Sequence, residues 1–406
     1  MSFLKVLFFS CFLFFNLHCT HSPQSLKRDP STLATNGGCT DTLGALTIKT
    51  NRSQLGLAND SSTETTILPP AEIKTLEPLD PNKFSVFSLE KKLTLSTYNV
   101  LNLKTSVGKF EPDLASGKRV KTKPEGPKSE QSIEGVAQAI KEISPDIIFL
   151  QEVEGEESLI TFAKEKLNNE WRPLYIKGND SRGIQIGVLV KNSIPLHFEY
   201  ESHRDEPFSS ESHPNLKKVF SRDFPVLLAK SPSAGDPLFI LCGVHGKSKR
   251  SENTLDPESR EIRTAQAERM VAIIKSYQNR YPKSPLLVLG DFNAEVNSEP
   301  EYEALRHFNL KDAFDLSPNP LPKGDPGRIT HTYHPKDGAT KRAQLDSILV
   351  APPFQNLILG THVYRYKNAD GSEIPLPSTY GEREQNPSDH YPVWTELNLQ
   401  QLLKLN

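Results

Sequence analysis

The chain of 406 residues is 36% hydrophobic and 24% charged, with a formal net charge of -2. Its length exceeds one ordinary domain, but a single two-sheet domain with a leader and a tether accounts for it. The near-neutral balance excludes whole-surface attraction to polyanions, so any phosphate must be met by local patches or a metal.

At the N-terminus, Lys5 precedes an apolar run over 6–17. The run falls short of the roughly 20 residues that a membrane-spanning helix requires. It reads as an export signal over residues 1–20 rather than a short buried helix. Cys19 stands where a lipoprotein carries its lipidated cysteine, yet Asn16-Leu17-His18 fits that cleavage pattern poorly. Simple export, to the extracellular space or the periplasm, therefore ranks above a lipid anchor. Membrane association is expected only if Cys19 is lipidated. The remaining cysteines, Cys11, Cys39 and Cys242, suggest neither a zinc site nor a disulfide framework.

Residues 21–82 are rich in Ser, Thr, Asn, Pro and Gly and read as a disordered tether. The folded domain is expected over 83–406. In chain order, strands are expected over 93–100, 146–150, 184–191, 224–229, 238–244, 286–289, 344–350 and 391–397. Helices are expected over 131–143, 156–167, 257–277 and 300–308. In the first helix Ile133, Val136, Ala137 and Ile140 recur at helical spacing until Ser144-Pro145 ends it. Strands and helices mixed in this way imply two sheets covered by helices.

Polar residues recur where these apolar runs start or stop. The runs are LSTYNV with Asn99, IIFLQEVE with Glu152, LCGVHGKS with His245, LVLGDFNA with Asp291 and Asn293, QLDSILV with Asp346, and SDHYPV with Asp389 and His390. Singly, each is explained as well by a turn cap, a solvated charge or a core histidine. Together, they bring distant segments to one site. Asn99, Glu152 and Asp389 offer hard oxygen ligands suited to Mg²⁺, Mn²⁺ or Ca²⁺. Two histidines and neighbouring carboxylates supply acid–base chemistry for hydrolysis.

The ordered set YNVLNL, LQEVE, GVHGKS, GDFNA, QLDSILV and SDHYPV resembles the endonuclease/exonuclease/phosphatase superfamily, which includes deoxyribonucleases and sphingomyelinases. The resemblance spans about 92–397. It implies a four-layer α/β sandwich of two mixed, mostly antiparallel sheets packed face to face, with helices outside. Glu152 would be the principal metal ligand, with Asn99 beside it and Asp389 at the metal or its water shell. Mg²⁺ is the leading expectation, with Mn²⁺ or Ca²⁺ as alternatives. His390 would be the general base, oriented by Asp346. Asp291 and Asn293 would hold the attacking water and a phosphate oxygen, and His245 would contact phosphate or protonate the leaving oxygen. One departure stands at Gln185, where many relatives carry an acid. Gln185 cannot carry charge.

The substrate expected is nucleic acid, DNA or RNA, with no protein partner implied. Basic residues over 104–128 and the run Lys247-Ser248-Lys249-Arg250 would neutralise backbone phosphates, and Asn102 would contact phosphate or support the metal ligands, a polar residue opening a loop being the equal alternative. Solvated loop charge explains the basic runs about as well. The alternatives are a sphingomyelinase-like or phosphoinositide phosphoesterase and, from another class, a catalytically inactive domain that binds phosphate polymers.

Overall fold

The computed structural model describes residues 46–48, 65–104, 128–233, 235–251, 253–335 and 339–405. The expected leader, and with it Cys11, Cys19 and Cys39, lies outside the described residues, as does most of the basic segment over 104–128. Strands are numbered in chain order. A seven-stranded sheet runs β12 (Lys311–Asp312), β15 (Asp346–Val350), β11 (Leu286–Asp291), β10 (Pro237–His245), β9 (Val226–Lys230), β8 (His197–Ser202), β3 (Glu72–Leu76). A six-stranded sheet runs β16 (Ile358–Val363), β17 (Val393–Asn398), β4 (Lys92–Leu103), β5 (Ile147–Glu154), β7 (Ile184–Lys191), β6 (Trp171–Tyr175). Two ribbons are added, β1 (Leu46–Ile48) with β2 (Thr65–Ile67), and β13 (His331–Tyr333) with β14 (Lys341–Ala343). Among the described residues only β4–β5 and β10–β11 pair in parallel, so the sheets are mixed and mostly antiparallel.

Strand alternation sorts each central run between two cores. In β5, Ile147 and Phe149 face the other sheet, in the core they share with Leu241, Leu289 and Ile348. Ile148 and Leu150 point the opposite way, against Val136 and Ile140 of the helix Glu130–Ile143 and Phe162 of the helix Gly155–Glu165. In β11, Leu287 and Leu289 face inward, while Leu286 and Val288 meet Met270, Ile273 and Ile274 of the helix Arg260–Arg280. Burial on both faces explains why these strands read as unbroken apolar runs rather than alternating ones. Each fully buried side chain of this size stabilises the fold by about 1.5–3 kcal/mol. The result is the four-layer α/β sandwich expected, helix–sheet–sheet–helix.

The expected domain boundary is corrected. β3 is the edge strand of the seven-stranded sheet, and Ala71 N–H donates to Ser202 O at 2.8 Å. The fold therefore takes in residues on the N-terminal side of Lys83, and the 21–82 tether is too long at its C-terminal end. The helix expected over 300–308 is a 3-10 turn, Pro300–Tyr302, followed by Glu303–His307.

Candidate active site

Three neighbouring strands of the seven-stranded sheet end at one level. His245 lies opposite Asp291 in the β10–β11 pair, and Asp291 lies opposite Asp346 in β11–β15. Gly290 is required just before them. Its φ is 153°, and a Cβ there would stand 2.0 Å from Val244 O. In the other sheet, β4 places Asn99 opposite Gln151 of β5. Both strands then slip register, β4 between Asn99 and Leu103, β5 between Leu150 and Val153. Leu101, Asn102 and Glu152 take φ values of 49°, 55° and 65°, and Asn293 takes 52°. Left-handed backbone costs a non-glycine residue about 1–3 kcal/mol. Bulges of this kind re-aim side chains beside active sites.

The two sheets are joined through these polar groups. Asn99 Nδ2 donates to Asp291 Oδ2 at 3.0 Å. Asp291 Oδ1 accepts Asn293 N–H at 2.7 Å, and Asn293 Nδ2 donates to Gly246 O and Asp291 Oδ2, both at 3.1 Å. Ser388 Oγ donates to Asn99 O at 2.8 Å and accepts His390 N–H at 3.1 Å, which docks the loop before β17.

On one side of Asp291 stands His390. Its Nδ1 donates to Asp346 Oδ2 at 2.8 Å, leaving Nε2 3.9 Å from Asp291 Oδ2. Burial works against its charge, but Asp346, Asp291 and Asp389 outweigh it and push the imidazolium up to about 10. On the other side His245 Nε2 lies 3.8 Å from the same Asp291 oxygen and 3.9 Å from Glu152 Oε1. Burial first, then Arg222 and Arg182, hold His245 well below the ordinary histidine range. Its Nδ1 is buried with no hydrogen-bond partner. Gln185 does not supply one, since its Nε2 donates to Asp180 O at 3.0 Å and its Oε1 is itself unpartnered.

Glu152 Oε2 accepts Asn102 N–H at 3.1 Å, so Asn102 enters the site through its backbone. Burial and the neighbouring Asp389 raise the Glu152 carboxyl, and the same burial with Asp346 raises Asp291. Asp389 Oδ2 faces Arg383 Nη2 at 3.2 Å and His331 Nε2 at 3.7 Å. Burial opposes its charge, but His331, His390 and Arg383 hold the carboxyl well below its usual range. Its Oδ1 is buried without a hydrogen-bond partner. Ligand atoms within 4.8 Å of one another form two groups among the described residues, His331–Asp389–His390 and Asp291–Asp346–His390. Neither includes Glu152. An oxygen-rich set with an orphaned carboxylate oxygen at Asp389 fits a hard divalent cation.

The expected phosphate ligands fare differently. Lys247 Nζ donates to Ser248 O at 3.2 Å and Arg250 O at 2.6 Å, folding onto its own loop. Lys249 Nζ pairs with Glu299 at 2.9 Å, and the exposed Arg250 contributes its carbonyl. Sequence reasoning missed His331, Arg383, Arg182 and Arg222. It counted Lys128 only within the basic segment expected to meet backbone phosphates, yet Lys128 Nζ donates to Leu101 O at 3.0 Å and Pro387 O at 2.7 Å. Lys128 thereby clamps the β4 bulge to the Asp389 loop.

A two-sheet sandwich whose facing strand ends gather carboxylates, an amide pair and two histidines defines a hydrolase-type site built for a phosphoryl group. The chain belongs to the Endonuclease/Exonuclease/phosphatase family, whose family model matches residues 96–390. Members of that family are hydrolases of phosphoester bonds and generally depend on divalent metal. No curated protein sequence shows significant similarity to the chain. Among solved structures, truncated Caenorhabditis elegans TDP2 is similar at 15% identity and a TM-score of 0.47, covering 76% of this chain and 98% of that one. D. rerio TDP2 complexed with single strand DNA product matches at 15% identity and 0.45, covering 76% and 100%. A Bacteroides thetaiotaomicron mannosyl-6-phosphatase matches at 18% identity and 0.45, covering 75% and 99%.

Proposed function

We propose that the protein is an exported, divalent-metal-dependent phosphodiesterase that hydrolyses nucleic-acid backbones. The observation that carries this reading is the opposed pair of histidines. His245 ends β10 and His390 lies on the loop before β17, and they set Nε2 at 3.8 and 3.9 Å from the same Asp291 oxygen. A phosphoryl group entering there meets a proton-handling side chain on each side, as in-line displacement requires.

Glu152 and Asp389 would hold the cation, with Asn99 alongside. When bound, the cation neutralises charge on the phosphoryl oxygens and among these carboxylates. Asp346 fixes the His390 ring, and a bound cation would offset the carboxylates that favour its charge, so that a neutral Nε2 could take a proton from the attacking water. Asp291 and Asn293 orient that water and one phosphoryl oxygen. His245, buried and neutral, donates a hydrogen bond on the leaving side.

The cleft rim favours nucleic acid. Tyr333 is 42% exposed and lies two residues beyond His331 on β13. Tyr380 is 57% exposed and begins the short helix Tyr380–Glu384, which carries Arg383. Exposed aromatics beside a phosphate site suit base stacking, worth about 1–3 kcal/mol per base. Export rests on the apolar run after Lys5. The test is hydrolysis of plasmid, RNA and sphingomyelin side by side with Mg²⁺. Cleavage of DNA or RNA is expected, and cleavage of sphingomyelin alone would overturn the reading.

A further inference from the structure

Beyond His245, away from His390, the cleft ends in cations that the hydrolytic scheme does not use. The segment 177–183 joins β6 to β7, and register places it beside the Glu152 bulge, since Ile184 pairs with Glu154 and Gln185 with Val153. It is strapped onto the segment that leads into β9. Asn179 N–H donates to Arg222 O at 2.7 Å, and Asn179 Nδ2 donates to Phe220 O at 3.0 Å. The approach is so close that a Cβ on Gly178 would stand 2.6 Å from Arg222 O.

That strap sets two guanidinium groups around one carboxylate. Arg182 Nη2 lies 2.9 Å and Arg222 Nε 3.2 Å from Asp180 Oδ2. Arg222 is buried, and its Nε is aimed too poorly at Asp180 to count as hydrogen-bonded. Its Nη1 donates to Gly246 O at 3.3 Å, the same carbonyl that takes the Asn293 amide. Arg222 is therefore wired to the phosphate-facing side of the site. Arg182 is half-exposed, with a 50% accessible side chain. Both guanidinium groups act on Glu152, His245 and Lys247, and burial together with them lowers the Lys247 ammonium to about 8. Arg222 faces Glu152 and Asp291 as well as Asp180, so its charge is turned to the cleft and not only to the loop it pins.

We infer that Arg182 and Arg222, held by Asp180, form an anion subsite for a second phosphoryl group on the same substrate, next to the scissile phosphate on the His245 side. This rests on the nucleic-acid reading and sharpens it, because a strand ending in a phosphate, or continuing into another nucleotide, presents that second group. Arg182 keeps Nε and Nη2 on Asp180 at 3.2 and 2.9 Å, which fixes its plane, and a guanidinium so placed gives charge-assisted hydrogen bonds to phosphoryl oxygens.

The experiment compares kcat/KM for the dinucleotide TpT with that for pTpT and TpTp, using the full chain with Mg²⁺. One end phosphate should raise kcat/KM roughly tenfold or more, through KM, as a charge-assisted hydrogen bond of this kind implies. Arg182→Gln should collapse that ratio, and Arg182→Lys should restore part of it. Arg182 is at the surface, so a melting curve matching the wild type separates loss of the subsite from loss of fold. In parallel, calorimetry in chelator compares inorganic pyrophosphate with orthophosphate, where the wild type should prefer pyrophosphate and Arg182→Gln should not. If no dinucleotide is cleaved but the pyrophosphate preference depends on Arg182, the nucleic-acid reading falls and the subsite stands. Absence of both preferences, or their survival in Arg182→Gln, would overturn the subsite.

Discussion

The two histidines of the cleft sit at equal distance from one aspartate yet in opposite surroundings. His390 is fixed by Asp346 and ringed by carboxylates that favour its charge. His245 has no partner for Nδ1, and burial with two nearby guanidinium groups keeps it neutral. Environments that push two like groups apart divide proton handling between them. The lesson is that equal placement does not give equal protonation. Strand-end carboxylates, Asp346 and Asp291, favour charge on His390, whereas burial with Arg222 and Arg182 of the strapped loops disfavours it on His245.

The largest effect should come from breaking the supported histidine. His390→Ala is expected to lower kcat by about 10²–10⁴-fold. Adding Asp346→Asn to it should cost little more, because Asp346 acts through the ring. A double mutant far worse than His390→Ala would show that Asp346 works independently.

The unsupported histidine should matter less. His245→Ala is expected near the lower end of that range, about 10²-fold. His245→Asn, which keeps a donor, should recover part of the loss. Equal losses for both histidines in steady-state kinetics would erase the contrast.

A smaller effect separates them by pH. In the metal-free protein, His390 has a folded pKa of about 10, raised above its unfolded value. Its stabilisation is thus full below about pH 6.5 and is lost as pH rises through about 10. His245 is depressed, so it has the opposite sign and destabilises the fold as pH falls below about 6.5. Denaturant melts of His390→Asn and His245→Asn at several pH values should show slopes altered at opposite ends of the range.

The smallest effect is expected from the Lys249 loop. Lys249 pairs with Glu299 and is 52% exposed. Reversing Lys249 and Arg250 should change the log–log salt slope of DNA cleavage by less than the roughly 0.9 per contact that a phosphate grip gives. A drop of about 2 would restore both as backbone ligands.

The sequence made the core of the site legible because buried strands announce themselves. β5, β10 and β11 are apolar on both faces, so Glu152, His245 and Asp291 stood out where those runs ended. The edges were harder to read. β6 carries Pro173, which argues against a strand until its edge position is known. β3 lies in a polar stretch and is a strand only because β8 pairs with it. His331, Arg383, Arg182 and Arg222 sit in short or irregular segments with no period to place them. Their roles come from tertiary contacts with Asp389, Asp180 and Gly246. Gln185 was noticed as a departure, but only the fold reveals that it turns to Asp180 O and leaves His245 unsupported.

The central claim is metal-dependent phosphodiester hydrolysis at the Asp291-centred cleft. Its most direct test is DNA cleavage by the purified protein in excess EDTA, followed by addition of Mg²⁺, Mn²⁺ or Ca²⁺. Cleavage should vanish in chelator and return with at least one cation, whereas an undiminished rate in EDTA would contradict the account.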